Sequence, residues 1–212
     1  VEGVRYPQGG FAAVVKAIAR QAEGATFLLG TAVTAIECAE GRATGVLLDG
    51  GTRLSADAVV SAADLHHTEI SLLPAWARTY PEHYFARRDP GIGTVLVFLG
   101  VRGALPELQH HTLLFSKDWT PDFRAVFHGP DPARPLGASE SIYVSKTSAT
   151  DPTVAPEGCE NLFILVPVPA EEGFGHGDAY GTVASPRVVE IAGAAVAQLA
   201  DWAGICLLYT SD

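Results

Sequence analysis

The sequence predicts a mixed fold, α+β or α/β, in two regions that meet near residue 65. Three observations point there. A glycine-led amphipathic helix is followed by short strands and tight turns up to Asp64. Beyond it, four strands rich in branched and aromatic residues occur without helices alternating between them, which argues for a mixed, mainly antiparallel sheet. A single long helical pattern then follows from Ser185 to Gly204.

Each element has its own reason. Gly9-Gly10 precedes a helix whose Phe11, Val14, Val15 and Ile18 share one stripe, and Gly24 closes it. Short strands are predicted at Thr26–Leu29, Thr31–Cys38, Ala43–Leu48 and Thr52–Leu54, turning at Glu40-Gly41 and at Asp49-Gly50-Gly51. Asp57–Asp64 reads as a strand buried on both faces and ending in small residues. Thr68–Leu73 suggests a short helix stopped before Pro74, leading into a loop-rich stretch with Trp76, Tyr80, Tyr84 and Phe85. The four later strands are Thr94–Val101, Thr112–Phe115, Ile142–Ser145 and Leu162–Val168, the last two separated by the proline-punctuated segment Asp151–Gly158. Val188, Ile191, Ala195, Leu199 and Trp202 form the stripe of the final helix, with Ser185 as cap and Pro186 in its first turn.

Composition narrows the function classes. A net charge of −10 argues against nucleic acid, which requires a basic face, and against a general electrostatic grip on anionic lipid. Cys38, Cys159 and Cys206 show no paired metal-ligand spacing, so a reducing cytoplasm is the simpler setting. No apolar run is long enough to cross a bilayer. Methionine is absent from all 212 residues, which suggests an internal fragment, and Cys206–Asp212 resembles a translated sequencing-adapter end. No P-loop, Gly-x-Ser-x-Gly or metal-ligand cluster is present, so kinase, hydrolase and metalloenzyme readings find no support.

Some segments carry more than one meaning. In Tyr6-Pro7-Gln8-Gly9-Gly10 the glycine pair is either a turn and cap, or a place where backbone approaches a ligand with free N–H groups. His110-His111 on a regular strand would point to opposite faces, so one faces a cavity and the other solvent, and no shared metal follows; His66-His67 poses the same problem. Phe98, Phe115, Tyr143, Phe163 and Leu165 suit core packing or the wall of an apolar tunnel equally well.

The run from His110 to Pro169, with its two apolar strands around the Asp151–Gly158 loop, resembles the substrate-domain core of bacterial phytoene desaturases. Tyr6-Pro7-Gln8-Gly9-Gly10 is similar to the segment that opens the corresponding helix in that family. The helix, meander and return strand up to Asp64 resemble the second half of a glutathione-reductase-like, amine-oxidase-like FAD-binding domain. The resemblance implies that residues 1–65 are part of an FAD-binding domain and residues 66–205 part of a substrate domain, with 206–212 an adapter-derived tail.

It further implies cofactor contacts at Val33 (mainly through its backbone, near the adenine end), Gly9, Gly10 and Ala62. Substrate contacts are implied at His110, His111, Phe98, Phe115 and Tyr143, with no metal. The parent would be an FAD-dependent desaturase that passes hydride from a long polyene to flavin, working in the cytoplasm as a peripheral protein on the cytoplasmic membrane. A polyene saturase or carotenoid oxidase of the same fold, or a non-catalytic remnant binding apolar ligand, are the alternatives. The sequence has no Gly-x-Gly-x-x-Gly turn, and Gly173-Phe174-Gly175-His176-Gly177 has the wrong spacing for one. The chain alone is therefore expected to be inactive and not to retain FAD stoichiometrically.

Overall fold

The computed structural model describes residues 5–129, 131–134, 136–179 and 181–205; the tail expected at 206–212 lies outside them. The chain divides into two compact units, Ala22–Asp89 and the described parts of Val1–Gln21 with Pro90–Asp212. The first helix, α1 (Phe11–Gln21), therefore groups with the larger unit and not with the meander that follows it.

In the smaller unit, β1 (Val33–Ala39), β2 (Arg42–Leu48) and β3 (Arg53–Ser55) form an antiparallel three-stranded sheet in that order. Glu40 and Gly41 both take positive φ (51° and 76°), the two-residue turn whose twist matches paired strands. At Gly45 the sheet closes tightly: a Cβ there would lie 2.3 Å from the Leu54 carbonyl oxygen. Below it, α2 (Leu65–His67), capped by the Asp64 carboxylate on the His67 N–H, runs into a π-helical turn at Thr68–Leu72. Glu69 is buried and accepts from the Thr79 N–H, while Arg78 donates to the carbonyls of Ile70 and Leu73. The short α3 (Glu82–Phe85) gathers Tyr80, Tyr84, Phe85 and His66 into one aromatic cluster.

Two expected strands are not formed. Thr26–Leu29 and Asp57–Asp64 make no ladder, and Val60, predicted to be buried on both faces, is 92% exposed. A strand exists only with a partner, and among the described residues neither edge of the three-stranded sheet takes these segments up.

The larger unit is built on an antiparallel sheet ordered β4-β7-β6-β5. β4 (Ile92–Arg102) pairs along its whole length with β7 (Cys159–Pro169). β6 (Ile142–Ser145) joins β7 to the edge strand β5 (His111–Leu114). Side chains alternate faces along each strand. Val95, Val144, Leu162, Ile164 and Val166 point to one side and are almost fully buried there with Ile191, Ala195 and Leu199 of α5 (Pro186–Ala203). Val188, Ile191, Ala195 and Leu199 of the expected stripe are thus its packing face, while Trp202 is 41% exposed. Ser185 does not cap it through its side chain, since the Ser185 hydroxyl accepts from the His176 N–H instead. Gly204 ends the helix in the left-handed region at φ 67°, as its position predicts.

The longest helix not expected is α4 (Trp119–His128). Pro121 looks like a breaker, but it sits in the first turn, where proline is tolerated, and the Asp118 carboxylate caps the Thr120 N–H. Asp122, inside α4, is a buried hub. It accepts from Ser116 (2.6 Å), Ser141 (2.7 Å), the Arg134 Nε (2.7 Å) and the Glu140 N–H (2.9 Å).

A candidate ligand cavity on the open sheet face

The face of the β4–β7–β6–β5 sheet opposite α5 is aromatic. Register places Phe98 opposite Phe163, and Ser145 opposite both Phe163 and His111; one residue pair along, Leu96 and Tyr143 flank Leu165, with Leu113 beyond Tyr143. The rings run in sequence across the strands. Phe98 and Phe163 have centroids 5.3 Å apart, Phe163 and Tyr143 6.2 Å, Tyr143 and His111 5.9 Å, His111 and His110 4.4 Å, and His110 and Tyr6 4.9 Å. Phe98 is 69% exposed although it lies mid-strand, so the floor around it is left uncovered among the described residues.

Over this face lies a cavity of about 960 Å³. Its floor is β4, β6 and β7; its sides are the Tyr6–Ala12 segment and the loop carrying Val154, Ala155 and Pro156. Asp151 holds these sides together. Almost fully buried, it accepts from the Gly9 N–H (2.7 Å), the Thr153 N–H (3.0 Å) and the Thr153 hydroxyl (2.6 Å). Those bonds, with the Thr153 hydroxyl and the Gly9 N–H foremost, hold its carboxyl below the usual range. Asn161 locks the loop from the sheet, accepting from the Thr147 hydroxyl and Ser148 N–H and donating to the Val154 carbonyl. Glu160 at the same rim bonds the Ser148 hydroxyl and pairs with Lys146 at 3.6 Å, which keeps it ionised.

The residues singled out from sequence fall in three places. Gly9, Gly10, Phe98, His110, His111 and Tyr143 all line this one cavity. Phe115 does not: it borders a separate cleft of about 470 Å³ with Arg134, Glu140 and Trp202, and packs on Trp119. Val33 and Ala62 are in the smaller unit, both exposed. Two corrections follow. The histidines do not point to opposite sides, because His110 precedes β5 and escapes strand alternation, leaving both rings on the cavity. Their Nδ1 atoms are taken, His110 by the Thr150 hydroxyl and His111 by the Tyr143 hydroxyl, each at 2.6 Å. Burial first, and then the neighbouring His111, push the His110 pKa down, so it is neutral at pH 7.

The second correction concerns Gly9 and Gly10. Their N–H groups are not free, since Gly9 bonds Asp151 and Gly10 bonds the Pro7 carbonyl. Both adopt positive φ (80° and 76°), and this turn is what sets the start of α1 beside the cavity. His66, for its part, lies 3.1 Å from a Glu82 carboxylate oxygen. Asp151 and Asn161 went unrecognised in the sequence. Asp151 before Pro152 carried a usable signal, an acceptor preceding a proline-started turn.

A sequence model of the flavin containing amine oxidoreductases matches residues 1–152. The chain belongs to that family. It is 35% identical over 188 residues to a zeta-carotene-forming phytoene desaturase of Myxococcus xanthus, covering 88% of this chain and 34% of that protein. A carotenoid 3,4-desaturase of Haloarcula japonica is 36% identical over 174 residues, 78% of this chain and 33% of the relative. The chain thus spans about a third of the length of these relatives. The fold is also that of an oxidoreductase from Methanosarcina mazei, with a TM-score of 0.53 at 18% identity, over 92% of this chain and 38% of that one.

The family is flavin-containing, so the fit of FAD to these residues matters. The dinucleotide's pyrophosphate calls for a glycine-rich turn at a helix start with free N–H groups. This sequence lacks the Gly-x-Gly-x-x-Gly turn, and the Gly9 and Gly10 amides at the start of α1 are already bonded. The residues present do not fit a pyrophosphate cradle.

Proposed function

We propose that the complete protein is an FAD-dependent carotenoid desaturase and that this chain contributes its polyene-holding part. The observation that carries the reading is the cavity over the exposed Phe98–Phe163–Tyr143 face. A polyene gains its affinity almost wholly from hydrocarbon removed from water, and a wide aromatic floor with few charges suits that ligand. Likeness to relatives named for phytoene and carotenoid desaturation supports the same substrate class.

Within this reading Phe98, Tyr143, His110 and His111 bound the substrate space, and Gly9 and Gly10 shape its rim by conformation rather than by donated hydrogen bonds. Phe115 serves the neighbouring cleft. Val33 and Ala62 remain the proposed positions beside FAD. FAD would supply the hydride acceptor when bound. The working division is the smaller unit, Ala22–Asp89, toward the cofactor, and the described residues of the larger unit, the Tyr6–Ala12 segment included, toward the substrate.

We further propose that the protein works in the cytoplasm, resting on the membrane in which such substrates dissolve. Trp119, Phe123 and Phe127 recur every fourth residue along α4, are each about half exposed, and have exposed Lys117 and Arg124 beside them. That pattern suits the lipid interface. No helix among the described residues is long and apolar enough to span a bilayer.

Expressing the complete reading frame with phytoene tests the activity. A product absorbing at longer wavelength than phytoene is expected; unchanged phytoene with flavin bound would overturn the reading.

A further inference from the structure

Three glycines lie inside strands, and two have an evident structural cause. A Cβ on Gly45 would meet the Leu54 carbonyl oxygen at 2.3 Å, and one on Gly93 would meet the Pro169 carbonyl oxygen at 2.8 Å. Gly100 differs. It is not at positive φ, and a Cβ built on it touches nothing within 4 Å. A strand glycine with no conformational or packing need weakens its strand, and commonly marks a place where something else approaches the backbone.

Gly100 lies on the open face, two residues beyond Phe98 and opposite Asn161, and it lines the cavity floor. Nothing near it can collapse into the gap. Asn161 is held by three hydrogen bonds to Thr147, Ser148 and Val154, and the loop above is pinned through Asp151. The backbone at Gly100 is therefore bare and open to the cavity, in line with the Phe98–Phe163 platform.

We propose that Gly100 is a length-determining position of the substrate site: the ligand's chain passes from the Phe98–Phe163 platform across the bare backbone at Gly100. A side chain there would stop the ligand at the platform, so long chains would suffer more than short ones. This rests on the reading of the cavity as a polyene site.

The test is binding of phytoene and of the shorter 4,4'-diapophytoene to the protein expressed from its complete reading frame, wild type against Gly100→Val, with Gly100→Ala as the milder variant. Valine favours strands, so the melting temperature is expected to hold or rise. Gly100→Val should weaken phytoene by about tenfold or more, the scale on which a pocket rejects added bulk, and leave the shorter ligand nearly unchanged. Gly100→Ala should fall between and decides the matter if the valine variant does not fold. Equal affinities for both ligands in all three proteins, or equal loss of both, would overturn the role of Gly100. Failure of the wild type to bind either polyene would instead sink the reading of the cavity, and this inference with it.

Discussion

Replacing Asp122 by alanine probes the hub that ties α4 to the strands and loop beside it. The carboxylate accepts four hydrogen bonds, but they are not of equal weight. Ser116 and Ser141 lie 3.2 Å from one another and can re-pair, so their loss is small. Arg134 keeps the Ala133 and Asp118 carbonyls and the Glu140 carboxylate, yet its Nε is left without an acceptor in a largely buried place, as is the Glu140 N–H. Two buried donors stranded, one on a charged group, put the cost at about 2–4 kcal/mol.

The charge adds a pH signature. Burial alone would raise the Asp122 pKa, but the bonds from Ser116, Arg134, Glu140 and Ser141 outweigh it and hold the value at about 2, below its ordinary 3.8. A folded-state pKa below the unfolded one gives stability that is complete above 3.8 and is lost as pH falls toward 2. That depression is worth about 2 kcal/mol. Urea unfolding at pH 7 and near pH 3 measures both effects. Asp122→Ala should be much less stable at pH 7, and its deficit should shrink as the pH falls. A loss under about 1 kcal/mol, or a deficit independent of pH, would refute the hub as described.

Three further outcomes are expected. Ile164→Ala, on the α5 side of β7, should cost about 2–5 kcal/mol in denaturant melts, whereas Phe98→Ala on the open face should stay within about 1 kcal/mol while weakening polyene binding. Gly45→Ala should push β3 away from β2 at a cost of about 1–3 kcal/mol, visible as faster hydrogen exchange of the paired amides in Val46–Leu54; unchanged exchange would contradict the close approach seen there. Exchanging Phe123 and Phe127 together for glutamate should abolish most co-sedimentation with lipid vesicles, about 1.5–3 kcal/mol being lost per ring, with the melting temperature held.

The larger unit was legible because its signals are local and strong. β4, β6 and β7 announce themselves as branched and aromatic runs, and α5 by a stripe that does meet the sheet. What failed did so where local pattern is not decisive. Val59-Val60 has strand chemistry, but a strand is a property of a pair, and no partner is present among the described residues. Pro121 hid α4, because proline marks either a break or a first turn and only the Asp118 cap separates the two. The cavity was half visible. Aromatic residues on a strand look the same whether they face a core or a ligand, and only register shows that Phe98, Phe163 and Tyr143 share the face opposite Ile164 and Val144. His110 escaped prediction because strand alternation applies only inside the strand, which begins one residue later.

We propose that a polyene lies over the open aromatic face of the β4–β7–β6–β5 sheet. A crystal structure of the complete protein soaked or grown with phytoene tests it most directly. Hydrocarbon is expected in van der Waals contact with the rings of Phe98 and Phe163, passing between the Tyr6–Ala12 segment and the Val154–Pro156 loop. Finding that face covered by another segment of the same protein, with the polyene elsewhere, would contradict it.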